Sequence, residues 1–323
     1  MFDNLNKKVL LVGAGQMGVD YYKVLKALNC TTTIIGRGEN SAKLFEEKTG
    51  ISCITGGLET FLNQNEINFD AAIIAVGMEQ LGQTAIQLLN SGFKNILIEK
   101  PAGLNEEEIT ELANRSNKHE ASIFVAYNRR FYASVLKAKE IIELDGGVTS
   151  FNFEFTEWAH VIEPLIKANG VKDKWLLGNS THVIDLAFYL GGEPSEMSCY
   201  AGGKLSWHDK AIYSGAGICE NNALFSYQAN WNAPGRWGLE VLTKKSRLIF
   251  RPLEELKIQL IGSVSVSEVE IDHEIDKNYK AGLFIQTAKF LLGETNDFQT
   301  IQKQAKMCEF YNQIAKGNSI VHA

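Results

Sequence analysis

The chain has few of the features that mark several whole classes of protein. Its five cysteines, at positions 30, 53, 199, 219 and 308, are odd in number and show no pairing by spacing. Reduced, mostly buried thiols of a cytoplasmic protein are expected, not a disulfide framework. No Cys/His cluster has the spacing of metal ligands, so no metal is expected. Lysine and arginine (32 residues against 38 acidic ones) form no block, and the net charge is −6. That balance argues against nucleic acid as a partner. No apolar run approaches the ~20 residues of a membrane span. The residues before Val9 lead straight into a strand, leaving no room for a signal peptide. Internal repeats, low-complexity tracts and flexible linkers are also missing.

What remains is the composition of an ordinary soluble enzyme, with 45% hydrophobic and 22% charged residues. At 323 residues the chain exceeds the ~250 at which single cores stop growing, so two domains are expected. The most informative stretch is residues 9–18. An apolar run, Val9–Val12, ends in Gly13-x-Gly15-x-x-Gly18, and a helical pattern follows at once through Val19, Tyr22 and Leu25. Gly13 allows the tight turn, Gly15 lets a pyrophosphate approach the backbone, and Gly18 lets the helix pack closely. The helix start, with Gln16 and Met17, offers N–H groups and a positive dipole end to phosphates.

The first third alternates strand-like runs (Val9–Val12, Thr31–Ile35, Ala71–Val76, Asn95–Glu99, Ser122–Ala126) with helix-like ones (Val19–Asn29, Ser41–Thr49, Leu58–Asn65, Leu81–Ser91, Glu106–Lys118). Such alternation predicts a doubly wound parallel sheet, an α/β Rossmann domain over residues 1–125. Asn105 before three glutamates reads as an N-cap. After residue 126 the rhythm changes. A helix is expected over Phe131–Leu144, then a strand over Val148–Phe155 in which Phe151, Phe153 and Phe155 alternate with polar residues. Further strands are expected near 195–202, 211–220, 223–231, 237–243, 246–250, 256–261 and 269–272, interrupted by one helix, Asn179–Leu190. Two helices, Tyr279–Leu292 and Thr300–Lys316, close the chain. Residues 126–323 are therefore expected to form an α+β substrate-binding and oligomerisation domain with a largely antiparallel open sheet, whose C-terminal helix packs back on the first domain.

Three motifs in order resemble the Gfo/Idh/MocA family, the glucose–fructose oxidoreductase and inositol dehydrogenase group. They are Gly13–Gly18, then Glu99-Lys100-Pro101 at the end of a sheet strand, then His182 and Asp185 three apart at a helix start. Ala126-Tyr127-Asn128-Arg129-Arg130-Phe131 is similar to the family's Asn-Arg-Arg-Phe segment, and the resemblance spans essentially the whole chain. It implies a nicotinamide-dependent oxidoreductase of sugars, nucleotide-sugars or cyclitols, assembled as a homo-oligomer, dimer or tetramer. An open sheet face rich in aromatics is the expected interface.

Lys100 follows the apolar run Ile96–Ile98 and so sits at the carboxyl edge of the sheet, where open α/β folds bind ligands. A lysine beside a cofactor in a partly closed cleft can exchange protons near neutrality. His182 has the side chain best suited to acid–base work. Asn179, Ser180 and Thr181 before it are N-cap residue types. The resemblance makes Lys100 and His182 the catalytic pair, with Asp185 either orienting the histidine or anchoring a neighbouring strand. One departure stands out. Family dehydrogenases commonly carry an aspartate four residues before this histidine, and here that residue is Gly178. Lys100 and His182 suffice, or Asp173, Glu157 or Asn179 substitutes, or the reaction runs chiefly as a reduction. A dinucleotide-binding sensor that has lost turnover is the alternative that Gly178 motivates.

Cofactor choice rests on the end of the second strand, where an acid selects NAD and an arginine accommodates the 2′-phosphate of NADP. The strand ends in Gly36-Arg37-Gly38-Glu39-Asn40-Ser41. Arg37 pairs well with phosphate and Ser41 adds a hydroxyl, so NADP is expected over NAD. Val76, Glu99, Lys100 and Asn128 complete the expected cofactor contacts. On the substrate side, Trp158 and Trp175 offer faces to a sugar, Lys174 offers a charge, and Asn179, Asp185 and Arg236 complete the expected contacts.

Overall fold

The computed structural model describes residues 4–317. They group into two compact units. The first runs to Asn128 and takes in Ile275–Lys306, and the second comprises Arg129–Glu274 and the residues from Met307 on. Division at residue 126 places 275–306 with the second segment, whereas by contacts they group with the first.

The first unit opens with β1 (Lys8–Val12), α1 (Gln16–Ala27), β2 (Thr31–Ile35), α2 (Glu39–Thr49), α3 (Gly57–Gln64), β3 (Ala71–Ile74), α4 (Leu81–Asn90), β4 (Asn95–Glu99), α5 (Glu106–Lys118) and β5 (Ser122–Ala126). Val9–Leu11, Ala72–Ile74 and Ile96–Ile98 are fully buried. A sheet covered on both faces demands such unbroken apolar runs. The five strands are parallel, in the order β2-β1-β3-β4-β5. That order reverses between β1 and β3, and open α/β sheets bind ligands beyond the carboxyl ends of the strands at such a point. α5 begins as the sequence predicts. The Asn105 side chain accepts from the Glu108 N–H at 2.9 Å, and the Glu108 carboxylate accepts from the Leu104 N–H at 2.8 Å.

A 3-10 turn over Asn128–Phe131 comes next, so the expected helix from Phe131 starts two residues later, as α6 (Ala133–Leu144). Then come β6 (Ser150–Glu154), α7 (Ala159–Ile162), a π-helical turn (Leu176–Ser180), α8 (Thr181–Gly191), β7 (Pro194–Gly202), β8 (Ile212–Cys219), β9 (Leu224–Asn230), β10 (Gly238–Leu242), β11 (Ser246–Phe250), β12 (Lys257–Leu260) and β13 (Ser267–Glu268). The eight strands form one sheet, β13-β12-β11-β10-β6-β9-β8-β7, antiparallel except between β6 and β9. The strand expected over 269–272 is absent; only Ser267 and Glu268 pair, with Ile258 and Lys257. α7 is a second helix that the sequence pattern does not announce.

Phe151 and Phe153 of β6 stack on Phe225 and Tyr227 of β9 at 5.5 and 5.4 Å, and Phe188 of α8 meets Phe225 edge-on at 5.0 Å. Each buried ring contributes roughly 1.5–3 kcal/mol. Gly191 ends α8 flush against this cluster: a Cβ there would lie 2.2 Å from the Phe151 ring. These aromatics therefore occupy the covered face. The opposite face carries exposed Asn152, Ser214, Ser226 and Gln228, with Tyr200 half-exposed. The expectation of an aromatic open face is corrected, because strand alternation sends the phenylalanines of β6 and β9 to α8 and leaves Tyr200, Ile212 and Leu224 among polar residues on the outward side.

The chain closes with α9 (Glu274–Asn278), α10 (Leu283–Leu292), β14 (Gln299–Thr300) and α11 (Ile301–Lys316). The helix expected from Tyr279 starts at Leu283, because Gly282 has φ 70° and breaks the pattern. β14 joins the first unit's sheet antiparallel to β5, pairing Gln299 with Val125 and Thr300 with Phe124. In the same unit, Gln304 Nε2 donates to the carbonyl of Pro101 and to the Tyr127 hydroxyl, at 3.2 and 3.1 Å. No helix among the described residues is long and apolar enough to cross a membrane.

Candidate active site

The glycine turn after β1 is built as its spacing requires. Gly13 has φ +124°, and a Cβ on it would lie 2.3 Å from the Ala75 carbonyl oxygen. A Cβ on Gly18 would lie 2.0 Å from the Gly13 carbonyl oxygen, so Gly18 seats α1 against the turn. A Cβ on Gly15 would meet nothing within 4 Å, because Gly15 faces open space. Gly15 is also the N-cap of α1. It supplies no side-chain cap, and the first turn holds no acidic residue. The positive end of the helix is thus left to an outside anion.

That space is a cavity of about 920 Å³ beyond the ends of β1, β2 and β3, lined among others by Gly13, Gly15, Arg37, Ser41 and Val76. Its size suits a large ligand. Arg37 is exposed, and no ion pair engages it among the described residues. Ser41 Oγ donates to the Gly38 carbonyl at 3.0 Å. Glu39, though near in sequence, is absent from the lining. The sequence reading missed Glu59, Thr60, Glu79 and Gln80, which do line it. The last two lie on a 3-10 turn, Met78–Gln80, whose short length leaves no periodic signal. An uncapped helix start, a glycine facing open space and an arginine at the β2 end together fit a dinucleotide phosphate chain.

Other expected cofactor residues are engaged elsewhere. Gln16 donates to Asp20 at 3.0 Å and accepts from Lys48 at 2.7 Å. Met17 Sδ accepts from Lys280 at 2.9 Å. Asn128 is buried and donates to the Ala281 carbonyl at 2.9 Å, which makes it a tie to the 275–306 segment. Glu99 accepts from the Tyr21 hydroxyl at 2.8 Å. Burial, reinforced by Glu99, pushes the Tyr21 phenol well up, so it stays a neutral donor. This bond fixes the end of β4, and Lys100 comes directly after, half-buried, with a cis peptide to Pro101.

In the second unit, His182 lies in the first turn of α8, 8% exposed, its ring 5.9 Å from that of Trp237. The three residues before it do not cap the helix. The chain enters α8 straight from the π turn, and Ser180 is already in helical geometry without a cap bond. Their side chains are used otherwise. Asn179 Nδ2 and Ser180 Oγ donate to Glu157, at 2.9 and 2.8 Å, and Thr181 Oγ1 donates to the Leu177 carbonyl at 2.7 Å. Wide turns of this kind recur at functional sites. Gly178 lies within this one.

Glu157 is 1% exposed and lies 3.6 Å from Arg236. Burial pushes its carboxyl above the ordinary range, and Ser180, Asn179, Arg236 and Trp175 offset this only in part. The Arg236 guanidinium stacks between Trp158 and Trp237, at 4.8 and 4.6 Å, and Arg129 covers Trp237 at 4.9 Å. Glu157, Asn179, Arg236 and the Trp237 ring beside His182 thus make one continuous polar and aromatic cluster. Arg129 had a signal in the Asn-Arg-Arg-Phe segment but no assigned part.

Asp185 does not belong to that cluster. Its carboxylate takes a bidentate pair from Arg130, Nε at 2.8 Å and Nη2 at 2.6 Å, with both side chains buried. Burial opposes the charge on Arg130, and Asp185 outweighs it, holding the guanidinium above its ordinary value. The pair ties Asp185 of α8 to Arg130 of the 128–131 turn, and both carboxylate oxygens are taken by it. Lys174 is exposed at the turn before Trp175, and Trp175 meets Trp207 edge-on at 6.0 Å. Trp158 is half-exposed, its indole N–H donating to the Gly235 carbonyl at 2.8 Å.

Known proteins resemble the chain over both halves. The Gfo/Idh/MocA oxidoreductase family, with an NAD-binding Rossmann fold, matches residues 7–127. Oxidoreductase P35 of Formosa agariphila is 25% identical over 246 residues, 69% of this chain and 72% of that one. A levoglucosan dehydrogenase in complex with NADH superposes with a TM-score of 0.79 over 96% of each chain at 18% identity. The UDP-N-acetylglucosamine 3-dehydrogenase GnnA of Acidithiobacillus ferrooxidans does so with a TM-score of 0.73 over 95% of this chain and 96% of that one, at 13% identity. With the phosphate-binding turn and its cavity in place, residues 7–127 match the NAD-binding Rossmann fold of the Gfo/Idh/MocA oxidoreductase family, and the chain as a whole shares the fold of these dehydrogenases.

Proposed function

We propose that this protein moves a hydride between a nicotinamide cofactor, NADP(H) in preference to NAD(H), and a carbinol or carbonyl carbon of a sugar, nucleotide-sugar or cyclitol. The observation that carries the reading is Arg37, which lines the cavity at the end of β2 where a ribose-binding acid would select NAD. Gly13 and Gly15 would hold the pyrophosphate, and Arg37 and Ser41 the 2′-phosphate. The cofactor, when bound, supplies the hydride acceptor or donor.

On oxidation, the carbinol C–H bond breaks with its electron pair leaving as hydride, and the hydroxyl proton passes to Lys100 or His182. On reduction, the same groups return a proton to the new alkoxide. Arg236, Asn179 and Trp237 orient the sugar beside His182. With glycine at position 178, Glu157 supplies the second unit's carboxylate. Its grip on Asn179 and Ser180 sets the turn from which His182 emerges.

The test is cofactor turnover across two panels, keto-sugars with NADPH and sugars or cyclitols with NADP+. Turnover that is faster with NADPH than with NADH supports the reading. Tight NADPH binding without turnover of any carbohydrate overturns it in favour of a dinucleotide sensor.

A further inference from the structure

A second cavity, of about 900 Å³, lies wholly within the second unit. Its walls are three loops, 157–163, 204–207 and 231–235. β6 runs parallel to β9, and β7 is antiparallel to β8, which is antiparallel to β9. β6, β7 and β9 therefore point the same way, and each loop leaves the carboxyl end of one of them. Three separate segments are brought to one edge to enclose this space.

The lining is aromatic, with polar groups set into it. Trp158 is 47% exposed, yet its ring is fixed, with its N–H spent on the Gly235 carbonyl and Arg236 over one face. Trp207 lies nearly parallel on buried Trp231, centroids 5.9 Å apart and planes 13° apart. Ser206 donates to the Glu163 carboxylate and so ties two of the loops together. Glu157 lines this cavity and also grips Asn179 and Ser180 just before His182. One carboxylate thus joins the cavity to the cluster assigned to the substrate.

These features select a ligand class. The fixed, half-exposed indole face of Trp158 suits the apolar C–H face of a pyranose, and the rim hydroxyls, amides and carboxylates suit its hydroxyls. A diphosphate is disfavoured, because Lys204 is the sole lysine or arginine in the lining and Glu163 lies in the same lining. We propose that this cavity is a subsite for a second, uncharged glycosyl unit, so that the substrate is a glycoside or short oligosaccharide whose end ring is oxidised or reduced. The proposal rests on the sugar oxidoreductase reading and narrows its substrate class.

The test uses full-length protein and matched sugar pairs: glucose with cellobiose, glucose with maltose, xylose with xylobiose, mannose with mannobiose. Affinity is read by calorimetry on protein saturated with NADPH, which cannot oxidise these sugars, and turnover is read separately with NADP+ by nicotinamide absorbance. In at least one pair the disaccharide should bind about ten-fold or more tightly than its monosaccharide. Trp158→Ala should bring that ratio close to one, and Trp158→Phe, which keeps a stacking face, should restore most of it. Unfolding midpoints near wild type in both variants verify their fold. A ratio near one in every wild-type pair overturns the subsite, as does a ratio that survives Trp158→Ala. Monosaccharide turnover with a flat ratio overturns the subsite alone, whereas no turnover of any carbohydrate overturns the sugar reading itself.

Discussion

Both carboxylate oxygens of Glu157 accept from a single nitrogen, Nδ2 of Asn179, at 2.9 and 3.1 Å. Asn179 sits in the π turn that leads into α8, so a buried acid controls the segment carrying His182. A conformation at residues 176–180 is thus set from the end of β6.

Glu157 gives a pH-dependent stability. Burial raises its folded value above the ordinary 4.5. Across the interval between the two values the folded chain binds more protons than the unfolded one. The contribution is fully present below 4.5 and is lost as pH rises through the folded value. Glu157→Gln cannot titrate. Its stability relative to wild type, measured by denaturant unfolding, should rise with pH over that interval and then level. A difference that is flat or falls with pH would show that Glu157 is not held as described.

Arg37→Ala should weaken NADPH much more than NADH. Loss of a charge-assisted contact is worth about 1.5–3 kcal/mol, or roughly ten- to a hundred-fold in affinity. Equal weakening of both cofactors in fluorescence titrations, or tighter wild-type binding of NADH, would remove the assignment.

Gly13 and Gly15 should separate by role. Gly15→Val fills only open space, so its unfolding midpoint should stay near wild type while dinucleotide binding disappears. Gly13→Ala drives a methyl into the Ala75 carbonyl at a positive φ and should destabilise the fold by about 1–3 kcal/mol. If Gly15→Val binds cofactor normally, the cavity is not the dinucleotide site.

Lys100→Met should keep cofactor affinity and cut turnover by about two or more orders of magnitude, as expected for loss of a general acid–base group. His182→Ala should give a smaller but still large loss. Wild-type rates in Lys100→Met with a verified substrate would show that the family's proton chemistry is not carried out by this chain.

Asp185→Ala should act on stability. It strands the buried Arg130 guanidinium, which costs about 3–5 kcal/mol. A stable Asp185→Ala variant with a specific loss of turnover would place the residue in the chemistry after all.

Regular elements were legible where one physical signal dominates. β1, β3 and β4 are unbroken apolar runs because their sheet is covered on both faces, and the glycine spacing dictates the sharp turn from β1 into α1. Short elements escaped: α7 has four residues and β14 two, too few for any period to show. Asn179 and Ser180 look like caps in sequence, and only the chain path shows that Glu157, 22 and 23 residues away, takes their side chains. Likewise, Asp185 reads in sequence as orienting His182 or anchoring a neighbouring strand, and its observed partner, Arg130, lies 55 residues away in a 3-10 turn. Aromatic content alone did not say which sheet face is covered, because that depends on where α8 lands.

β14 has a consequence for synthesis and for fragments. The family match ends at residue 127, and there the parallel strands are complete in sequence. The edge of that sheet is not, because Phe124 and Val125 pair with residues made some 175 positions later. Tyr127 and Asn128 likewise wait for Gln304 and Ala281. A fragment cut at 128 would leave β5 as an open apolar edge, a template for aggregation. On the ribosome the nucleotide-binding half cannot close until nearly the whole polypeptide has emerged. Closing the β5 edge of that sheet is therefore a property of nearly the whole chain, although the glycine turn and Arg37 lie near its amino end.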